Sequence, residues 1–251
     1  MLLSPLDYAA VAVFLSGWLA YHLLVERSPF GRGALNNRMN AYRLRWMLEM
    51  QARENRVTDA ALMATLQNGT SFFASTSLLA LGGALTLLRG ADDALRILSD
   101  LPLGSVASRT VWDLKVVGLV AIFGYAFFKF AWSYRLFNYA SILIGATPSH
   151  RSSRPDQRRL TALRAAEMGI VAGRHFNRGQ RAFFFALAYL GWFVGPVVLM
   201  GTTAVVVVAI LLRQFSSDAL RAVSLEVPGD APEPDGPSAA AAGGPAGSGA
   251  R

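Results

Sequence analysis

Four runs of apolar residues set the problem: Leu6–Val25, Thr70–Leu88, Val111–Trp132 and Ala182–Leu212. Crossing the hydrocarbon core of a bilayer takes roughly 20 residues of helix at about 1.5 Å rise each, and all four runs are long enough. A soluble protein buries a helix of that length beneath one charged face, and none of these runs has such a face. The pattern predicts an all-α, polytopic membrane protein. Four transmembrane helices fall within residues 1–226, with amphipathic cytoplasmic helices in the loops 26–69 and 133–181. The first run has no basic residue before it, and Glu26-Arg27-Ser28-Pro29 follows it in place of a small-x-small cleavage site. It therefore reads as an anchor rather than a cleaved leader.

Arginines orient the spans. Seven, from Arg27 to Arg56, lie between the first two runs, and nine, from Arg135 to Arg181, lie between the last two. The remaining connection balances Arg89, Arg96 and Arg109 against Asp92, Asp93 and Asp100, and the tail is rich in acids. Lys and Arg concentrate on the cytoplasmic side, so both basic loops are expected there and both termini outside. The formal net charge of +8 then belongs to an inner face. No nucleic-acid-binding motif accompanies it, so nucleic acid is not an expected partner. The chain has no cysteine, which removes disulfides, thiolate metal sites and a thiol nucleophile together.

The loops have helical patterning of their own. In the first, Met39, Tyr42, Trp46 and Met50 share a side, and this helix either lies in the headgroup layer or packs under the bundle. Thr58 offers an N-cap for a second helix running toward Asn68-Gly69. In the second loop Pro155 suits a first helical turn, and a helix from there is expected to end around Gly173. Ser216–Glu226 reads as a short surface helix. Residues 227–251, rich in Pro, Gly, Ala and Ser, read as a disordered external tail.

Only two lysines occur, Lys115 and Lys129, both within the third run. They lie about 40° apart around a helix and roughly 21 Å apart along it, so each can reach the nearer interface by snorkelling. The helix need not stop at Lys129, because helical character persists to Gly145 and would span about 50 Å from Asp113. Lys129, Arg135 and Asn138 gather near its inner junction. Arg178 and Arg181 approach the same depth from "NRGQR". These five residues are the candidate site for an anionic lipid of the inner leaflet or a small anion.

Small residues mark candidate packing faces: Ser71, Ser75, Gly82 and Thr86 on the second run, and Ala188, Gly191, Gly195 and Thr202 on the fourth. Pro196 is expected to kink the fourth run near mid-membrane. His22 and His175 have no partners at metal spacing, so no metal or other cofactor is expected. Neither a phosphate-binding loop nor a nucleophile elbow nor a carboxylate pair within a span is present, and an enzyme is not expected.

Arg45-Trp46-Met47, "FFASTSLLALGG" from Phe72, "KFAWSYRLFNYASILIGATP" from Lys129 and "NRGQRAFFFALAYLGWF" from Asn177 resemble the family known as domain of unknown function 599. The likeness runs from Leu2 to about Leu225. It implies a bacterial four-span membrane protein, for which the inner membrane is the expected location, and carries no activity, ligand or catalytic residue. The residues themselves support a non-enzymatic, self-associating bundle, possible homo-oligomer included, with a basic cytoplasmic-side site. The alternative is a channel or small-solute transporter using the same basic vestibule.

Overall fold

The computed structural model describes residues 3–27, 31, 33–92, 96 and 108–225. Among them every regular element is a helix: α1 Pro5–His22, α2 Leu35–Met50, α3 Val57–Arg89, α4 Arg109–Ala146, α5 Pro155–Tyr189, α6 Gly191–Val194, α7 Pro196–Phe215 and α8 Asp218–Ala222. A π-helical turn, Leu23–Arg27, extends α1. Among the described residues, four segments are long and apolar enough to cross a membrane: Pro5–Glu26, Val57–Arg89, Arg109–Ala146 and Pro196–Ala222.

Local chemistry fixes the ends. Ser4 and Asp7 form a capping box at α1, with Asp7 N donating to Ser4 Oγ at 3.1 Å and Ser4 N donating to Asp7 Oδ2 at 3.1 Å. The far end of α4 is closed by another helix's approach: Arg56 donates to the carbonyls of Ile144, Thr147 and Pro148 at 3.2, 2.5 and 2.8 Å. Thr58 is not a cap, because α3 already begins at Val57, whose amide donates to Asn55 Oδ1 at 2.9 Å. Nor does α5 end at Gly173. That glycine continues the helix and leaves room for the Arg43 guanidinium, whose Cζ would lie 2.9 Å from any added Cβ.

Among the described residues, the two larger apolar cores stack along the bundle. In one, Ala10, Phe14, Leu119, Phe123, Phe185, Tyr189 and Leu199 join α1, α4, α5 and α7. In the other, Met47 and Met50 of α2 and Met63 of α3 pack with Phe137 and Ala140 of α4 and with Ala162, Ala165 and Ala166 of α5. Packing under the bundle is thus what α2 does; Met39 and Tyr42 stay exposed. Fully buried Asp59 secures this end by accepting from Trp46 Nε1 and Arg53 Nη1, both at 2.7 Å. The inner face of α3 is Thr70, Ser77 and Ala84. Ser71, Ser75 and Gly82, expected as the packing face, are exposed, and no atom lies within 4 Å of a Cβ added at Gly82. Within one chain this stripe therefore faces outward, offset by about one to two residues from the buried positions.

The run Ala182–Leu212 is not one kinked span. At Gly191–Pro196 the chain reverses, and α7 returns alongside the end of α5. Thr202 Oγ1 donates to the carbonyl of Ala188 at 2.8 Å, whereas a continuous helix would separate those residues by about 21 Å. A Cβ on Gly191 would lie 2.6 Å from Thr202 Oγ1, so glycine permits the close return. Gly195 has open space where its Cβ would be, so it does not share that packing role.

Lys115 holds the reversal. Pro196, four residues after Trp192, has no N–H to offer the Trp192 carbonyl. Lys115 Nζ donates to that oxygen at 2.7 Å and lies 5.3 Å from the centre of the Trp192 ring. Trp192 Nε1 in turn donates to Asp7 Oδ1 at 2.8 Å. Lys115 is 3% exposed, so it is a buried donor rather than a snorkelling one.

The reversal also moves the end of the described chain. Asp7 and Trp192 mark one end of the bundle, and Glu26, Arg181 and Gln214 mark the other. Past α7, Val223 accepts from Tyr42 Oη of α2 at 3.4 Å. The chain therefore reaches residue 225 at the end where α2 lies, opposite to Asp7, and not on the same side as expected. The tail 227–251 lies outside the described residues.

If Lys115 and Gly191 hold the reversal, Lys115→Met and Gly191→Leu each lower stability by about 1–3 kcal/mol. Gly195→Leu costs less than either. Thermal unfolding in mild detergent checks the ranking, and equal melting of all three variants would contradict it.

Candidate functional site

At the end opposite Asp7, the π turn after α1 presents Glu26 to α5. Arg178 Nε lies 3.1 and 3.0 Å from the two carboxylate oxygens, and its Nη2 donates to Oε2 at 2.5 Å. Arg181 Nη2 donates to Oε1 of the same carboxylate. The two arginines are three residues apart and so share one face of α5. Arg181 is the more enclosed, its side chain 10% exposed and its guanidinium 5.3 Å from the centre of the Tyr21 ring. His22, one turn before Glu26, places Nδ1 3.4 Å from Oε1.

Close helix packing positions this cluster. Gly179, between the two arginines, meets Phe130 of α4, whose Cε1 would be 2.8 Å from an added Cβ. Phe130 stacks on Phe73 of α3 at 5.4 Å and meets Phe176 of α5 edge-on at 5.6 Å. A larger residue at 179 would push α5 from α4 and carry the arginines with it.

Beside the cluster is a polar cavity of about 300 Å³. Glu26, Arg174, Arg178 and Arg181 supply its charges, and Asn36, Asn37, Asn40 and Asn177 most of its other polar groups. Two of these amides are already engaged: Asn37 Nδ2 donates to the Gly31 carbonyl at 2.5 Å, and Asn40 Oδ1 accepts from Arg43 Nη1 at 2.7 Å. The cavity also faces the start of α2, where no side chain caps the helix, so the amides of that first turn add positive potential. A second cavity of about 240 Å³ lies on the far side of Arg181, bounded by Tyr21, Gln180, Arg213 and Gln214 among others.

Of the five residues expected to converge, Arg178 and Arg181 do. Lys129 stands nearby, within electrostatic reach of Arg178 and Glu26, with Nζ 5.1 Å from the centre of the Tyr125 ring. Arg135 and Asn138 do not join them. Arg135 Nε donates to Tyr139 Oη at 2.7 Å on the exposed side of α4. Asn138 Oδ1 accepts from Gln67 Nε2 at 2.9 Å and so ties α4 to α3. Along α4 these residues lie about 9 and 14 Å beyond Lys129, and at about 100° per residue they turn to other faces. The residues that sequence reasoning missed are Glu26, Arg174 and the asparagines. Glu26 carried a signal, as the one carboxylate directly bordering an apolar run beside an arginine-rich loop.

The architecture defines a helical multi-pass membrane protein with a charged cluster at one end of its bundle. The family model described as "Protein of unknown function, DUF599" matches residues 9–219, and the chain belongs to that family. No curated protein and no solved structure matches it. The matched stretch includes Glu26, Lys129, Arg178 and Arg181.

Since Glu26 accepts from both arginines, Glu26→Gln and Arg178→Gln should not act independently. Each lowers stability, and the double variant falls short of the sum by about 0.5–3 kcal/mol. Thermal or denaturant unfolding of the four proteins measures the coupling; strict additivity would show that the pair contributes nothing.

Proposed function

We propose that this protein is a non-enzymatic membrane protein that binds a phosphate- or carboxylate-bearing anion at the Glu26 end of its bundle. The observation that carries this reading is the cavity of about 300 Å³ whose lining includes three arginines and one carboxylate. Glu26 serves as a resident counter-ion that keeps Arg178 and Arg181 aligned when no anion is bound. Arg178 spends Nε and Nη2 on Glu26 and retains Nη1 for a ligand. Guanidinium groups suit oxyanions because they can donate two parallel hydrogen bonds. Lys129 adds charge without that geometry.

In the same reading the Glu26 end faces the cytoplasm of a bacterial inner membrane. The arginine-rich stretches 27–56 and 135–181 belong to this end, which positive-inside logic places in the cytoplasm. Arg213 and Arg221 join them once the chain returns along α7.

Glycerol phosphate, a headgroup without its chains, probes the site. The full chain in mild detergent should bind it in equilibrium dialysis. Arg178→Gln and Arg181→Gln should each weaken binding about tenfold, equivalent to about 1.4 kcal/mol. The double variant is scarcely worse, because one ligand is shared. No binding by the parent protein would refute the reading.

Orientation has its own test in a chain free of cysteine. Single cysteines at Asp92, Arg151 and Leu225, all exposed, should separate in intact cells. Asp92→Cys labels with an impermeant maleimide, and Arg151→Cys and Leu225→Cys label only after lysis. Labelling of Leu225→Cys on the same side as Asp92→Cys, and opposite to Arg151→Cys, would contradict the return of α7.

A further inference from the structure

Resting on that anion site, the geometry points to its occupant: an anionic phospholipid, with its phosphate at Arg178 and Arg181 and one acyl chain in a lateral groove between α1 and α4. The groove has a volume of about 600 Å³, and its walls include Leu15 and Leu19 of α1 and Ala121 and Ile122 of α4. Arg178 and Arg181 belong to its lining as well as to that of the polar cavity. An apolar channel and a polar chamber thus meet at the same two guanidinium groups.

Three features favour a lipid over a free anion. First, the groove lies along the membrane-crossing lengths of α1 and α4, where the surrounding medium is hydrocarbon. Leu15 and Leu19 are each 57% exposed there, and a bare ion gains nothing from such walls. Second, the groove has the depth of one leaflet. From Leu15 to Glu26 the helix rises about 16 Å, close to half of a hydrocarbon core of about 30 Å. Third, the groove is a standing feature of the packing. α1 packs against α7, while α4 packs against α3 and α5, which leaves the cleft between α1 and α4 open. Trp18 is held within it by stacking on Phe185 at 4.9 Å and by an edge contact with Tyr125 at 6.0 Å. An amphiphile lying there places charge against charge and chain against hydrocarbon simultaneously.

The test uses phosphatidylglycerol with a diazirine in one acyl chain, photolysed with the full protein in mild detergent. Cross-links should concentrate on α1 around Leu15 and Leu19 and on α4 around Ala121 and Ile122. Unlabelled phosphatidylglycerol should displace them, and phosphatidylcholine should not. Ala121→Trp fills the groove and should cut retained phosphatidylglycerol at least fivefold while glycerol phosphate binding is kept. Val205→Trp, at an exposed position on α7, controls for added bulk and should change neither. Cross-links spread evenly over all exposed helices of the parent protein, or full retention by Ala121→Trp, would overturn the lipid assignment. Glycerol phosphate binding in that event leaves the anion site standing, so the two readings fail separately.

Discussion

A buried backbone carbonyl without a donor costs about 1–3 kcal/mol, and the Trp192 carbonyl would face that cost because Pro196 has no N–H to give it. Lys115 supplies the missing donor from the neighbouring helix. Much of the rest follows from that one hydrogen bond. With the turn stabilised, α7 can run back along α5, Thr202 can reach the Ala188 carbonyl, and Trp192 can present its indole to Asp7. The lysine's charge is tolerated because the same ammonium faces an aromatic ring and lies within reach of the Asp7 carboxylate.

The opposite end of the bundle solves a different problem. Two guanidinium groups there stand close together and would repel one another, and Glu26 offsets the repulsion by accepting from both. The Lys115 and Glu26 sites are therefore unlike in kind. At Lys115 a charge satisfies the backbone. At Glu26 charges satisfy one another, with Arg174 and Lys129 beside them.

The class of fold was legible because apolar length is a blunt and reliable constraint. The continuation of α4 beyond Lys129 was legible for a similar reason, since nothing between Phe130 and Gly145 breaks a helix. The reversal was not legible from apolarity, which is the same for a long kinked helix and for two short antiparallel pieces. Gly191, Gly195 and Pro196 are the available clue, but in the sequence alone the two glycines read as a packing face and only the proline as a kink. Arg178 and Arg181 come together at Glu26 because "NRGQR" is part of α5, where a three-residue spacing shares one face. Arg135 and Asn138 were misplaced because nearness in sequence to Lys129 was taken for nearness in space. Glu26 was passed over as a boundary residue; its importance depends on which arginines α5 brings back to it, and that pairing spans about 150 residues of sequence.

The π turn at Leu23–Arg27 gives α1 two independent settings. Up to His22 the register of the helix is dictated by the aromatic contacts of Phe14 and Trp18 with Phe185. Beyond it, the wider turn re-aims the backbone before Glu26 meets α5, so the carboxylate's direction depends on that one turn as well as on the register of the span. Such a joint has a cost in tolerance to length change. Loss of one residue between His22 and Glu26 would swing the carboxylate by about 100° and draw it back by about 1.5 Å, away from both arginines, while leaving every contact within the membrane in place. Side-chain substitutions at the exposed Leu23 and Leu24 can be absorbed at a point where deletions cannot.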